Sequence, residues 1–214
     1  MKKMLIFDMD GTILYTLEDL MNSTNYALLE YGYPVRTLDE VRQFVGNGIH
    51  KLVERAVPEG TPKDRIEDVF ETLEKHYKIH CMDTTKPYDG IIDLLKKLRE
   101  KGFQTAVVSN KVDFAVQDLV DDFFRGLFDI AIGEREGVRK KPAPDSVYEV
   151  MKAFHLAKED VVYIGDSDVD FETAKNAGVD YILVEWGFRD RSFLESLGAS
   201  VFAKKPEDIL NLVQ

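Results

Sequence analysis

The chain alternates short apolar runs with longer segments in which apolar residues recur every three or four positions. Met4 to Phe7, Thr105 to Ser109, Phe128 to Ile132, Val161 to Gly165 and Tyr181 to Val184 are short, rich in β-formers and bounded by turn residues, so each predicts a strand. Segments of helical period accompany them, for instance Ile91, Leu94, Leu95 and Leu98 at i, i+3, i+4 and i+7. Strands alternating with helices predict a parallel sheet with right-handed crossovers, covered on both faces. The fold class read from the pattern is a doubly wound α/β core.

The interval between the first strand and Asp89 breaks this rhythm. Leu17, Leu20, Met21 and Leu28 mark one helical face there, and Ile66, Val69, Phe70, Leu73 and Tyr77 mark another. Breaks fall at Gly32 to Pro34, Gly46-Asn47-Gly48 and Pro58 to Pro62, and no strand pattern intervenes. Residues 16–84 therefore read as an all-helical insertion, and residues 1–15 with 85–214 as the α/β core. An inserted domain hinged where the chain leaves the core is a natural lid. A decorative helical hairpin in an exposed loop is the plainer alternative.

Composition narrows the class of partner. At 214 residues, 44% hydrophobic and 31% charged, the chain has the make-up of an ordinary globular protein. No run approaches the ~18 apolar residues of a membrane span. The run after Lys2 and Lys3 ends at Asp8, too soon for a secretory segment. The single Cys81 permits no intrachain disulfide, and Pro87 stands where a cysteine phosphatase would need an arginine. A cytoplasmic location is expected, and the apolar residues of the insertion suit a monomer or a homodimer. Lys and Arg number 28 against 39 Asp and Glu, a net charge of −11, which opposes nucleic acid and anionic membrane as partners. An anionic ligand must then meet a local cation: a metal, a lysine or a helix N-terminus.

The polar residues that carry chemistry sit at predicted strand ends, where open parallel sheets bind ligands. The first strand delivers Asp8 and Asp10 into the turn Asp8-Met9-Asp10-Gly11-Thr12. The second delivers Ser109-Asn110, and the Val161 to Gly165 strand delivers Asp166, Asp168 and Asp170. The loop after Phe128 to Ile132 carries Lys140-Lys141-Pro142. Local readings stay open for single members. Asp8 and Asp10 suit an Asx turn, Asp168 and Asp170 suit helix N-caps, Ser109 suits a strand-end turn, and Lys140 suits a solvated position.

Together these residues resemble the four motifs of the haloacid dehalogenase superfamily of aspartyl-nucleophile phosphatases: Asp8-Met9-Asp10-Gly11-Thr12, then Ser109 after Val107-Val108, then Lys141-Pro142, then Gly165-Asp166-Ser167-Asp168-Val169-Asp170. The helical insertion is similar in position to the small cap of the phosphoglycolate-phosphatase and β-phosphoglucomutase branch. Phe44-Val45-Gly46-Asn47-Gly48 and the stretch Gly137 to Pro144 most resemble the phosphoglycolate-phosphatase members. The resemblance implies a phosphomonoesterase working through an aspartyl phosphate on a small phosphate ester, with 2-phosphoglycolate the first candidate. A phosphomutase or a pyrophosphatase with the same nucleophile is the alternative. A phospho-acceptor receiver module is a remote one, since it would need an acceptor aspartate at the third strand end and no helical cap.

Each implied role has a physical reason. Asp8 attacks phosphorus as a carboxylate. Asp10 protonates the leaving oxygen and then activates water. Mg2+, a hard cation, takes Asp8, Asp166 and the backbone carbonyl of Asp10. Ser109, Asn110, Lys141, Gly11 and Thr12 hold phosphoryl oxygens, Lys141 adding fixed charge. Asp170 orders metal waters or Lys141 from outside. In the cap, Asn47, Gly48 and His50, with Lys51 and Arg55 nearby, open a helix whose N–H groups suit a carboxylate; a solvated glycine turn is the local alternative. The branch commonly continues its first motif with Asp-Ser, where this chain has Tyr15-Thr16; Thr16 keeps the ability to cap the next helix. Asp10 argues against dehalogenation and phosphonate cleavage, which need no acid at that position.

Overall fold

A computed structural model describes residues 2–213. The strands are β1 (Met4–Phe7), β2 (Leu14–Tyr15), β3 (Lys86–Pro87), β4 (Gln104–Val112), β5 (Ile130–Glu134), β6 (Val161–Gly165), β7 (Asp180–Val184) and β8 (Phe202–Ala203). The helices are α1 (Leu17–Glu30), α2 (Leu38–Phe44), α3 (Ile49–Ala56), α4 (Lys63–His80), α5 (Ile91–Glu100), α6 (Asp113–Phe123), α7 (Asp145–Ala153), α8 (Asp168–Ala177), α9 (Arg191–Ser196) and α10 (Pro206–Leu212). The chain divides into one unit of residues 1–14 and 87–214 and a second, Tyr15–Lys86. No described helix is long and apolar enough to cross a membrane.

The first unit is built on a six-stranded sheet of order β5-β4-β1-β6-β7-β8, parallel throughout. β1 lies at its middle with no exposed side chain. Its alternating residues enter two different cores, as the period of a strand requires. Leu5 and Phe7 join Ile91, Leu94, Leu95, Val116, Leu119 and Ile209 on one face. Met4 and Ile6 join Val147, Val150, Ala174 and Ala177 on the other. Burial on both faces explains why β1 and β6 read as continuous apolar runs. From β1 the chain moves outward through β4 and β5, then returns to β6 on the opposite side. The ends of β1 and β6 therefore flank a topological switch point.

The α/β fold class agrees with the sequence pattern, and three details correct it. The third expected strand starts later, at Ile130 rather than Phe128. Phe128 packs instead edge-on to Phe7, with centroids 6.0 Å apart, and Asp129 takes the Thr105 N–H with its side chain at 2.8 Å. β4 runs beyond Ser109 to Val112, with an irregularity between Val108 and Val112. β8 and the short paired strands β2 and β3 were not anticipated, since two residues leave no periodicity to read.

The second unit packs α1 with Leu20, Ala27 and Leu28 buried and α4 with Val69, Leu73 and Tyr77 buried. Thr37 and Glu40 close a capping box at the start of α2. Thr16 stands at the N-cap position of α1, yet its side chain makes no capping bond, and its hydroxyl is buried without a partner. The capping expected of Thr16 is therefore absent. Asp19, one turn on, accepts from Thr84 N, Thr84 Oγ1 and Thr85 N at 2.6–3.1 Å. This buried carboxylate ties the returning chain to the first turn of α1, where the helix dipole favours negative charge.

Candidate active site

Lys141 is the centre of the polar cluster. Its ammonium donates to Asp8 Oδ1 at 2.7 Å, to Asp170 Oδ1 at 2.7 Å and to the Tyr163 hydroxyl at 3.0 Å. Three partners match the three N–H bonds of an ammonium, so none remains for a phosphoryl oxygen in this arrangement. Only 6% of Lys141 is exposed. Burial alone would lower its pKa, but Asp170 and Asp8 outweigh that cost and hold it well above the usual lysine value.

Asp8, Asp166 and Asp170 bring carboxylate oxygens within 4.8 Å of one another. Asp170 is saturated: besides Lys141 it receives Asp166 N, Ser167 N and Ser167 Oγ on Oδ2. It also closes a capping box with Ser167 at the start of α8. The N-cap is thus Ser167, and Asp170 serves the helix and Lys141 at once. Asp166 receives Thr12 Oγ1 at 3.1 Å on Oδ1 and Phe188 N at 2.7 Å on Oδ2.

Burial pushes the Asp8 carboxyl well above the ordinary range; Asp170 adds to the rise and Lys141 offsets part of it. Asp166 is raised to about 7, first by burial and then by Asp170, against the pull of Phe188 N–H and the Thr12 hydroxyl. Tyr163 is held well above its usual value, mainly by burial. It therefore stays a hydroxyl and donates to Val108 O at 3.0 Å.

Several expected phosphate ligands have other work. Gly11 N donates to Leu14 O and Thr12 N to Met9 O, and the Thr12 hydroxyl is committed to Asp166. A tight turn needs these groups for itself. Gly11 is required there, because its φ is +85° and an added Cβ would lie 2.5 Å from Asp166 Oδ2. The Asn110 side chain grips the Lys141 backbone, accepting its N–H at 2.8 Å and donating to its carbonyl at 3.1 Å. Ser109 Oγ accepts Lys111 N at 3.2 Å. Lys140 pairs with Glu134 near the surface.

Asp10 stands apart from the carboxylate cluster and pairs with Lys111, its Oδ1 3.0 Å from Nζ. Lys111 was missed, since a lysine just past an expected strand end reads as a surface cation. Tyr163 was also missed, because an aromatic in an apolar strand reads as core. The loop after β7, with Phe188 N on Asp166 and Trp186 Nε1 donating to Thr12 O at 3.0 Å, left no motif. Ser167 carried a legible signal, the Ser-x-x-Asp capping pattern.

Within the second unit, Gly48 caps α3 with φ of +87°. His50 sits between Glu54 and Glu67, and Lys51 pairs with Glu54. Arg55 donates to Phe44 O and to Asn47 Oδ1. The basic residues expected to meet a substrate carboxylate thus all have protein partners.

Carboxylates and a buried lysine gathered at the ends of β1 and β6 define an enzyme site of the kind the motifs imply. A family model for haloacid dehalogenase-like hydrolases matches residues 5–184, and the chain belongs to that family. Its relatives include the phosphoglycolate phosphatase of Aquifex aeolicus, 30% identical over 213 residues, 99% of this chain and 96% of the relative. Phosphoglycolate phosphatase 1 of Pseudomonas aeruginosa is 32% identical over 193 residues, 87% of this chain and 70% of the relative. Among solved structures, a proposed phosphoglycolate phosphatase from Lactobacillus delbrueckii subsp. bulgaricus superposes with a TM-score of 0.95. It is 39% identical, over 100% of this chain and 99% of that one.

Proposed function

We propose that the chain is a Mg2+-dependent phosphomonoester hydrolase acting through an aspartyl phosphate on Asp8, with 2-phosphoglycolate as first substrate. The observation that carries this reading is the buried trio Asp8, Asp166 and Asp170 facing the single ammonium of Lys141. Burial first, and then the neighbouring Asp170 carboxylate, make Asp8 and Asp166 resist ionisation. An all-oxygen donor set of this kind fits a hard dication. Asp8, Asp166 and the backbone carbonyl of Asp10 would hold it, while Asp170, already saturated, orders Lys141. Once bound, the ion shields Asp8 from the incoming phosphate and stabilises developing charge.

The chain's own groups then divide the work. An Asp8 carboxylate oxygen forms a bond to phosphorus as the bond to the leaving oxygen breaks, and Asp10 gives that oxygen its proton. In the second half Asp10 takes a proton from water, which attacks phosphorus and returns Asp8 as carboxylate. Lys141 keeps Asp8 oriented and adds fixed positive charge. The Ser109 hydroxyl and the backbone N–H of Asn110 meet the phosphoryl oxygens.

The relatives named phosphoglycolate phosphatase support the choice of substrate. The test is a panel of 2-phosphoglycolate, a sugar phosphate and pyrophosphate assayed with Mg2+ and with excess EDTA. We expect the highest kcat/KM with 2-phosphoglycolate and loss of turnover in EDTA. Undiminished turnover in EDTA, or in Asp8→Asn, overturns the mechanism; isomerised sugar phosphate or preferred pyrophosphate overturns the substrate.

A further inference from the structure

We infer that Lys111 is a positioning residue that orients the Asp10 carboxylate for proton transfer, a role that rests on the reading of Asp10 as the acid and base of this site. The Lys111 side chain is only 3% exposed and its Nζ lies 3.0 Å from Asp10 Oδ1, 101 residues away in the chain. Burying an ammonium is costly unless a counter-charge meets it, and Asp10 supplies that charge.

The backbone is shaped to make this meeting possible. β4 continues past Ser109 through an irregularity between Val108 and Val112, a feature that re-aims side chains next to active sites. Ser109 Oγ holds Lys111 N, and Asp113 Oδ1 holds Gly133 N at 2.7 Å. Gly133 is needed there: an added Cβ would lie 2.6 Å from Lys111 O and collide with Asp113. Two strands are thus fitted closely around the segment that delivers Lys111.

Asp10 is 22% exposed at the mouth of its turn. A carboxylate so placed, with no partner, samples several rotamers, and misplacement by an ångström costs rate. Lys111 fixes Oδ1 and leaves Oδ2 for the leaving oxygen and then for water. Neither Lys111 nor its ion pair belongs to the four motifs.

The experiment compares kcat/KM with Mg2+ for two alkyl esters, 2-phosphoglycolate and glycerol 2-phosphate, and one aryl ester, p-nitrophenyl phosphate. An alkoxide needs a proton to leave, whereas nitrophenolate departs as a stable anion. Lys111→Met should lower kcat/KM roughly 30–100-fold for both alkyl esters, with a loss at least roughly tenfold smaller for the aryl ester. Lys111→Arg should recover most of it. In an Asp10→Asn background Lys111→Met should add less than roughly twofold, because the two act as a unit.

Equal losses for alkyl and aryl esters, or additive losses in the double variant, overturn the inference. So does a loss confined to KM for 2-phosphoglycolate, which would make Lys111 a ligand of the substrate carboxylate. If wild type cleaves none of the esters, or Asp10→Asn matches wild type, the reading of Asp10 fails and the inference falls with it. Should Lys111→Met lose its native circular dichroism, Lys111→Gln against Lys111→Arg is read by the same criteria.

Discussion

Asn110 holds the backbone of Lys141 from both sides, its Oδ1 accepting the amide N–H at 2.8 Å and its Nδ2 donating to the carbonyl at 3.1 Å. Asn110 lies within β4 and Lys141 in the loop after β5, 31 positions apart. The clamp makes the Asn110 side chain a support for Lys141. Asn110→Ala should lower kcat/KM roughly 10–100-fold through misplaced Lys141, a loss of about 1–3 kcal/mol from unpaired buried groups. Asn110→Asp should be no better, because it cannot donate. Steady-state kinetics beside circular dichroism check both.

Thr12 supplies a second test of reassigned roles. Its hydroxyl serves Asp166 rather than the open site, so Thr12→Val should weaken Mg2+ activation roughly 10–100-fold, as loss of outer partners of metal ligands does. KM for the ester at saturating Mg2+ should hardly move. A rise in ester KM with unaltered Mg2+ dependence would restore Thr12 to the phosphate ligands.

Asp8 is held against its charge by burial and by Asp170. Asp8→Asn should therefore abolish turnover while leaving the metal-free protein at least as stable as wild type. Differential scanning fluorimetry without divalent cations measures this. A large drop in Tm would mean that the Lys141 to Asp8 bond contributes more than the charge repulsion costs.

The Asp166 pKa, raised to about 7, sets a sign for pH dependence. In the unfolded chain an aspartate titrates near ~3.9. A folded pKa above that value stabilises the fold fully below about pH 4, and the contribution is lost as pH rises through about 7. Exposed groups such as Glu40, held low by Thr37, and Asp145, held low by Arg139, act in the opposite sense. The informative quantity is thus the difference between wild type and Asp166→Asn without metal, which should grow in favour of the variant from about pH 4 to 7. In the wild type, protons compete with the cation, so Mg2+ affinity by calorimetry should fall as pH drops below about 7, by up to roughly tenfold per unit.

The α/β architecture was legible because strand and helix periods are local properties of the chain. The apolar alternation of Met4 to Phe7 and the i, i+3, i+4 spacing of Ile91 to Leu98 need no knowledge of what lies opposite. The candidate residues were legible for a related reason: Asp8, Ser109 and Asp166 directly follow apolar runs, Asp10 and Lys141 lie in the loops beyond such runs, and parallel sheets gather those loops on one edge. Strand boundaries were less so, because Phe128 satisfies an apolar pattern equally well as a packed aromatic beside Phe7.

Tertiary structure alone decided which polar atom meets which. The sheet order sets β4 beside β1 and β6 on its other side, and only that adjacency joins Lys141 to Asp8, Asp170 and Tyr163. It likewise joins the Thr12 hydroxyl to Asp166 and the Asn110 side chain to the Lys141 backbone, and draws Lys111 to Asp10. The sequence by itself determined the fold class and the kinds of reactive group present. Hydrogen bonds and ion pairs act over about 3 Å, so assignments among residues up to 174 positions apart waited on the packing of the strands that carry them.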